Sequence, residues 1–387
     1  MSDYTALLPF ATPRQAQHLE AVITHGSQVK AAKALGLNAR TLQRSLESVR
    51  KKATLRGFSP PHDMTHPAPD GYMVKGVSTL YTPEGVAAQW VKTDADRARM
   101  LELAGEVVAA MSEDIKREKP VKAPARTEED LANLYVVTDF HLGMYSWHEE
   151  TGGDWDTDIA ESLLVSWFER AIASAPDASQ GVLALLGDFL HHDGLEPVTP
   201  EHHNVLDADS RFEKLVRVAI RVVRRIVGML LAKHACLHVV IAEGNHDIAA
   251  SVWLRELFAA LYEDEPRITV DQSPNPYYAF EFGQTSLFFH HGHRRNLKNV
   301  DDVFAGRFRD IFGRTTHSYG HVGHKHEQGQ HESNLMVVES HRTLAAPDAY
   351  SARGGWLSGR GASVITYSKS YGEVGRVTIS PEMCQAS

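Results

Sequence analysis

Leu134-Tyr-Val-Val-Thr-Asp-Phe-His-Leu-Gly143 is a short apolar run that ends in two residues able to hold a metal, Asp139 and His141. Leu134–Thr138 predicts a buried strand, which puts both residues where strand gives way to loop. The same pattern returns along the chain. The run Val182–Leu186 precedes Gly187-Asp-Phe-Leu-His-His-Asp193, and Leu237–Ala242 precedes Gly244-Asn-His-Asp247. Predicted strands Ala279–Phe282 and Leu287–His290 lead into His291-Gly-His293, and Gly323-His-Lys-His326 closes the series. In open α/β sheets this is the edge where ligands bind. Helices are expected near Ile159–Ser174, Asp209–Lys233 and Ala249–Leu261, and Ala362–Tyr367 with Val374–Ile379 reads as a closing hairpin. The expected fold class is α/β: a layered sandwich of sheets flanked by helices, strand-rich in its later part.

The chain has 387 residues, enough for two domains with an ample core in the larger. Cys236 and Cys384 stand far apart, which excludes a disulfide framework and suits a reducing cytosol. The N-terminal residues show no basic segment followed by an apolar core, so a cytoplasmic location and no membrane association are expected. The most apolar stretch, Val216–Leu231, is interrupted by Arg217, Arg221, Arg224 and Arg225 and reads as a helix of a soluble protein.

Averaged charge hides an asymmetry. Residues 1–57 hold nine Lys/Arg against three Asp/Glu, a balance of +6, so with −9 overall the other 330 residues carry −15. A basic head on an acidic body suggests a polyanionic partner. Thr12-Pro13 starts a helix to about Thr24, Ser27 can cap a second, and Asn38 a third that runs to about Arg56. Ala31-Ala32-x-x-Leu35-Gly36-Leu37 before the third helix resembles a helix-turn-helix, with Gly36 taking the positive φ of the turn. On that reading Arg40, Thr41, Gln43 and Arg44 face DNA bases or phosphates, and Arg50, Lys51 and Lys52 hold the backbone. A helical bundle docking a protein partner is the alternative.

Residues 58–130 read as a linker carrying a hairpin at about 72–92, turned at Pro83-Glu84-Gly85, and a helix at about 94–118. Lys119–Arg126, with its prolines and repelling charges, marks the boundary before a domain at 131–387.

Phosphate esters resist hydrolysis because the nucleophile approaches an anion and the leaving alkoxide is poor. Two cations ~3.5–4 Å apart neutralise the phosphate and acidify bound water. Asp-x-His, Gly-Asp, Gly-Asn-His-Asp, a lone His and Gly-His-x-His, in that order over residues 134–326, resemble the calcineurin-like metallophosphoesterases. That resemblance implies one metal held by Asp139, His141 and His326, a second by Asn245, His291 and His324, and Asp188 bridging. It gives His246 the role of charge stabiliser or proton donor to the leaving oxygen, with Asp247 orienting it. Manganese is the first expectation, with iron or zinc also suited to this donor set. His291 is preferred over His290 and His293 because it directly precedes Gly292 after the apolar run, and Gly323–His326 over the register beginning at His321. His191, His192, His202, His203, His317, His331 and His341 are expected to be ordinary core or surface histidines. Arg294 and Arg295, just beyond the fourth element, can grip a substrate phosphate.

The chain also looks similar to the double-strand-break repair nucleases of that superfamily and to phosphoesterases of tailed phages. The latter likeness extends over the head and the Tyr72–Thr93 hairpin. Gly187-Asp188 lacks the Asp-Arg-Gly of serine/threonine protein phosphatases. The resulting expectation is a DNA nuclease recruited through its head, working in a bacterial or phage-infected cytosol. A small-molecule phosphodiesterase or phosphomonoesterase, acting for instance on cyclic nucleotides, and a DNA-binding regulator with an inert centre stand as alternatives. Oligomeric state is left open.

Overall fold

Val182–Leu186 is apolar without a break because both faces of its strand are covered. In the computed structural model, which describes residues 4–60, 64, 72–82, 85–95 and 120–384, Val182, Ala184 and Leu186 point into one core and Leu183 and Leu185 into another. The neighbouring strands alternate in the same way, as pleated strands buried on both faces must. The chain divides into two units, Met1–Asp114 and Ile115–Ser387.

Among its described residues the larger unit holds two sheets. Strands β3 (Glu128–Val137), β4 (Ala178–Leu185), β5 (Cys236–Ile241) and β6 (Ile268–Val270) run parallel, and β12 (Ala362–Ser368) and β13 (Gly372–Ile379) add antiparallel beside β3. The sheet order is β13-β12-β3-β4-β5-β6. The second sheet has the order β10-β11-β9-β8-β7, built from β7 (Tyr278–Phe282), β8 (Thr285–Phe289), β9 (His317–Val322), β10 (Gly329–Glu332) and β11 (Val337–Ser340). Leu134, Val136, Val240 and Ile365 of the first sheet meet Tyr278, Leu287 and Phe289 of the second in a buried sandwich core.

Helices cover both outer faces. Against the six-stranded sheet pack α4 (Thr157–Ser174), α5 (Phe212–Lys233) and α6 (Ile248–Leu261), through residues such as Trp167, Phe168, Val223, Leu230 and Phe258. Against the other sheet pack the short helices α7 (Asp301–Arg307) and α8 (Arg309–Arg314), led by Phe304. The result is four layers, helix–sheet–sheet–helix. In α5 the interrupting arginines face outward, Arg221 to Glu161 and Arg225 to Glu169, while Val216 to Leu231 supply the buried stripe. No helix among the described residues is long and apolar enough to cross a membrane.

Among the described residues of the smaller unit, the α-helices α1 (Pro13–His25), α2 (Gln28–Ala34) and α3 (Ala39–Leu55) pack around Leu19, Val22, Ala31, Ala32, Leu42, Leu46 and Val49. Thr12, Ser27 and Asn38 cap them through their side chains, and Thr12 forms a reciprocal capping box with Gln15. Gly36 takes φ +66° in the α2–α3 turn, where the Leu37 N–H donates to Ala32 O. The hairpin β1 (Tyr72–Thr82) and β2 (Gly85–Ala95) pairs Tyr72 with Ala95. This corrects two sequence expectations: the hairpin extends past position 92, and Asp94 and Ala95 end a strand instead of starting a helix. The rest of that expected helix, like Pro83 and Glu84 of the expected turn, lies outside the described residues.

Two other corrections have clear causes. Within the expected boundary segment Val121 is docked, its N–H donating to Glu265 Oε2 at 3.2 Å and its carbonyl accepting from Arg267. Strand β9 was hidden by its polar composition, but its polar side chains find partners: Ser318 Oγ lies 2.8 Å from Ser286 Oγ, and His321 bonds His341 and Tyr367. Gly320 leaves room for the Phe304 ring, since a Cβ there would come within 2.9 Å of it.

His234, buried at the end of α5, packs over Gly181, donates from Nδ1 to Ala178 O (2.7 Å) and accepts at Nε2 from the Tyr135 hydroxyl (3.0 Å). Burial lowers its pKa from 6.5 to about 4. Below pH 6.5 the unfolded chain takes up a proton that the folded chain refuses. Stability is therefore complete above that value and declines as pH falls toward 4, by about 3 kcal/mol from this group. Urea denaturation at pH 7 and pH 5 should show a lower midpoint at pH 5, and a shallower drop in His234→Gln. An identical drop in the variant would show that His234 is not the titrating group.

Candidate metal centre

Strands β3, β4, β5, β8 and β9 each release a polar residue set within a few positions of their C-terminal ends, and those ends share one edge of the sandwich. Asp139, His141, Asp188, His324 and His326 all have positive φ, between 48° and 69°. The one other non-glycine residue with positive φ among the described residues is His203. Left-handed backbone at a residue with a side chain costs free energy, so its concentration here marks a place where side-chain aim is imposed against backbone preference.

Each buried aspartate has one tethered oxygen and one directed at imidazoles. Asp139 Oδ2 accepts from the Thr138 hydroxyl (2.6 Å) and from the His324 backbone N–H (2.8 Å). Its Oδ1 is buried, lacks a hydrogen-bond donor, and lies 3.2 Å from His326 Nε2 and 3.8 Å from His291 Nε2. Asp188 Oδ1 accepts from the His246 backbone N–H (2.7 Å), while Oδ2 lies 3.2 Å from His291 Nε2. His291 donates from Nδ1 to Leu186 O (2.7 Å), so its Nε2 faces Asp139, Asp188 and also Asn245 Oδ1 at 3.3 Å. His290 instead bonds Pro276 O and stacks on Tyr277, and His321 sits inside the sandwich.

The electrostatics call for positive charge. Burial pushes both aspartates upward, but neighbouring imidazoles outweigh it: His326 and His291 hold Asp139 below the carboxylate range, and His291 does the same for Asp188. Burial opposes charge on His291 as well, yet Asp188 and Asp139 raise it to about 10. Burial and the nearby His246 lower His141 to about 3, which leaves a neutral imidazole with lone pairs to offer.

Ligand atoms of Asp139, Asp188, His291 and His324 lie within 4.8 Å of one another, as do those of Asp139, His141 and His326. Asn245 joins through His291. Oxygen and imidazole donors around an undersatisfied buried carboxylate fit a divalent transition metal. Glycines permit the convergence: a Cβ on Gly244 would come within 2.0 Å of Asp188 Oδ1, and one on Gly323 within 1.8 Å of Thr138 Oγ1.

The expected orienting role of Asp247 is corrected. Its carboxylate accepts backbone N–H groups of Asp188, Phe189, Leu190 and Gly244, fixing the β4 loop against the β5 loop. Burial, then Asp188, raises its pKa to about 7. The His246 ring is held by His191, whose carbonyl accepts from Nδ1 at 2.9 Å. His191 is itself buried beside the centre, with Nδ1 3.3 Å from His141 Nδ1, so it is not the ordinary histidine expected. Its place three residues after Asp188, on the same strand-end loop, was the available signal. Thr138 and Thr343 were also missed; the Thr343 hydroxyl donates to Asp139 O at 2.6 Å.

A cleft of two lobes, about 680 Å³ each, opens over the centre, and Asn245, His246 and His324 line both. Arg294 is at the rim of one lobe, 3.4 Å from Glu201, while Arg295 is exposed and lines neither.

In the smaller unit Arg40, Thr41, Gln43, Arg44, Arg50, Lys51 and Lys52 are all exposed along α3. Gln43 bonds Glu47, Arg50 lies over the Tyr4 ring, and Lys52 reaches Gln15.

Neither a protein family nor a curated protein sequence matches the chain. Among solved structures it is similar to a conserved uncharacterized protein of Streptococcus pneumoniae TIGR4, a predicted phosphoesterase, at 12% identity over 66% of this chain and 92% of that one, with TM-score 0.31. It is similar to Yfce, a phosphoesterase from E. coli, at 14% identity over 63% and 98%, TM-score 0.30. An archaeal phosphodiesterase aligns at 11% identity over 64% and 99%, TM-score 0.33.

Proposed function

We propose that this protein is a metal-dependent phosphodiesterase acting on DNA, with its three-helix unit supplying DNA affinity. The observation that supports the catalytic half is the convergence of Asp139, His141, Asp188, Asn245, His291, His324 and His326 from five strand ends, most of them on strained backbone. These residues would hold two divalent ions, manganese first and iron or zinc next. Bound there, the ions would neutralise the phosphate and activate water near neutral pH.

The chain's own residues do the rest. His246, with Nδ1–H committed to His191 O, has Nε2 left to carry a proton to the leaving oxygen. The four backbone N–H groups gathered by Asp247 fix the Asp188 loop, so the bridging candidate is placed before substrate arrives. Asn245, His246 and His324, common to both lobes, put the reacting phosphate between two spaces, as a diester with two substituents requires.

The DNA half rests on the +6 balance of residues 1–57 and on the exposed Arg40, Arg44, Arg50, Lys51 and Lys52 of α3. A second reading, a phosphodiesterase of small molecules such as cyclic nucleotides, draws on the acidic larger unit and on Glu201, Asp207 and Asp348 in the cleft.

Purified protein with manganese should cleave plasmid or single-stranded DNA and bis(p-nitrophenyl) phosphate. His246→Ala should lower kcat by roughly 10²–10⁴-fold with bound metal retained. Asp188→Ala should lose both activity and metal. Turnover of cyclic nucleotides with no DNA cleavage would select the second reading, and no turnover with any divalent ion would refute both.

A double variant Arg40→Glu/Arg44→Glu should weaken DNA binding at low salt and flatten the dependence of log K on log salt by roughly two units, about one per phosphate contact. Unchanged binding would remove α3 from the DNA interface. Loss of chromogenic diester hydrolysis in the same variant would contradict the division of labour.

A further inference from the structure

The cleft carries an aromatic feature that the metal chemistry does not use. Helix α9 (Ala349–Gly354) is followed by Gly355-Trp356-Leu357, and Tyr350 and Trp356 lie with ring centroids 5.1 Å apart at 52°. Tyr350 is 72% exposed, Trp356 50% and Leu357 91%. Single exposed apolar residues are ordinary; two large exposed rings side by side along a cleft are not.

Both rings line the lobe that also contains His141, Asp188, His324 and His326, and Tyr350 lines the second lobe as well. The platform is braced in place. Asp348 caps α9 through Ser351 N (2.7 Å), Arg353 pairs with Glu150 (2.8 Å), and Ser146 Oγ donates to the carbonyl of Pro347 (2.8 Å). Trp356 folds back over Gly354, where a Cβ would come within 2.8 Å of the indole. Lys325 is in the same lobe, so a cation accompanies the rings.

Two exposed aromatic faces, tilted to one another beside the candidate metal centre and with a lysine at hand, match one chemistry above others: an unpaired nucleobase attached to a phosphate held there. Stacked duplex bases do not offer their faces, whereas bases in single-stranded or frayed DNA do, and stacking tolerates any of the four. We propose that Tyr350 and Trp356 form a stacking platform for an unpaired nucleobase next to the phosphate at the metal centre. This selects single-stranded or end-frayed DNA as the substrate form, and it rests on the phosphodiesterase reading.

The test uses the full chain with manganese bound, with fluorescence anisotropy of a labelled, hydrolysis-resistant phosphorothioate oligothymidylate and of an abasic phosphorothioate oligomer of the same length. The α3 contribution is common to both probes and drops out of the ratio. Wild type should bind oligothymidylate at least tenfold more tightly than the abasic strand. Tyr350→Ala and Trp356→Ala should each reduce that ratio about 5- to 100-fold, and Trp356→Phe should keep most of it. Equal binding of the two strands by wild type, or a ratio unmoved by both alanine variants, overturns the platform. Manganese-dependent hydrolysis of bis(p-nitrophenyl) phosphate by wild type checks the underlying reading separately. Hydrolysis without base preference sinks the platform alone; base preference without hydrolysis sinks the diesterase reading alone.

Discussion

Two carboxylates, Asp139 and Asp188, stand buried at the ends of adjacent parallel strands with one imidazole, His291, between them. Like charges so close and so poorly solvated demand a compensating cation. His291 answers part of that demand, which is why its pKa rises to about 10 although burial opposes its charge. Its Nδ1–H is already committed to Leu186 O, so the charge of the protonated ring is turned through Nε2–H toward the accepting carboxylate oxygens. The rest of the larger unit can be understood as the frame that keeps this arrangement from collapsing.

That frame is built in layers. Strands β3, β4 and β5 are locked by a core on each face, so their ends are fixed within the sheet. The loops they release are then cross-tied: Asp139 N to Gly187 O, His141 N to Asp188 O, and Asp247 to four backbone N–H groups. Positive φ at five polar residues is tolerated because each of those loops is over-determined by its neighbours. Gly187, Gly244 and Gly323 occupy the points where loops cross too closely for a Cβ.

Much of this was legible in the sequence because the strands are apolar on both faces and short, and because each ends in a residue with a metal-binding side chain. The helix caps at Thr12, Ser27 and Asn38 were equally readable, since capping is a local interaction. What escaped was non-local. Strand β9 is polar in sequence and becomes a central strand through partners such as Tyr367 and His341, distant along the chain. His191 looked ordinary until its carbonyl met His246 and its ring met His141. Asp247 sits beside His246 in sequence, but its carboxylate turns the other way, to the backbone of the β4 loop.

The distribution of roles follows from this geometry. On the proposed reading a rigid strand edge supplies the charge centre, the cleft above it would take a phosphate between its two lobes, and the Tyr350 and Trp356 rings would each turn a face to what that phosphate carries. The most direct measurement is a crystal structure of the protein grown with manganese, with anomalous diffraction collected near the manganese edge. Two anomalous peaks within ligand distance of Asp188, one also contacting Asp139 and the other His291, are the expected result. A map with no peak among these seven side chains, at a manganese concentration that saturates activity, would contradict the account.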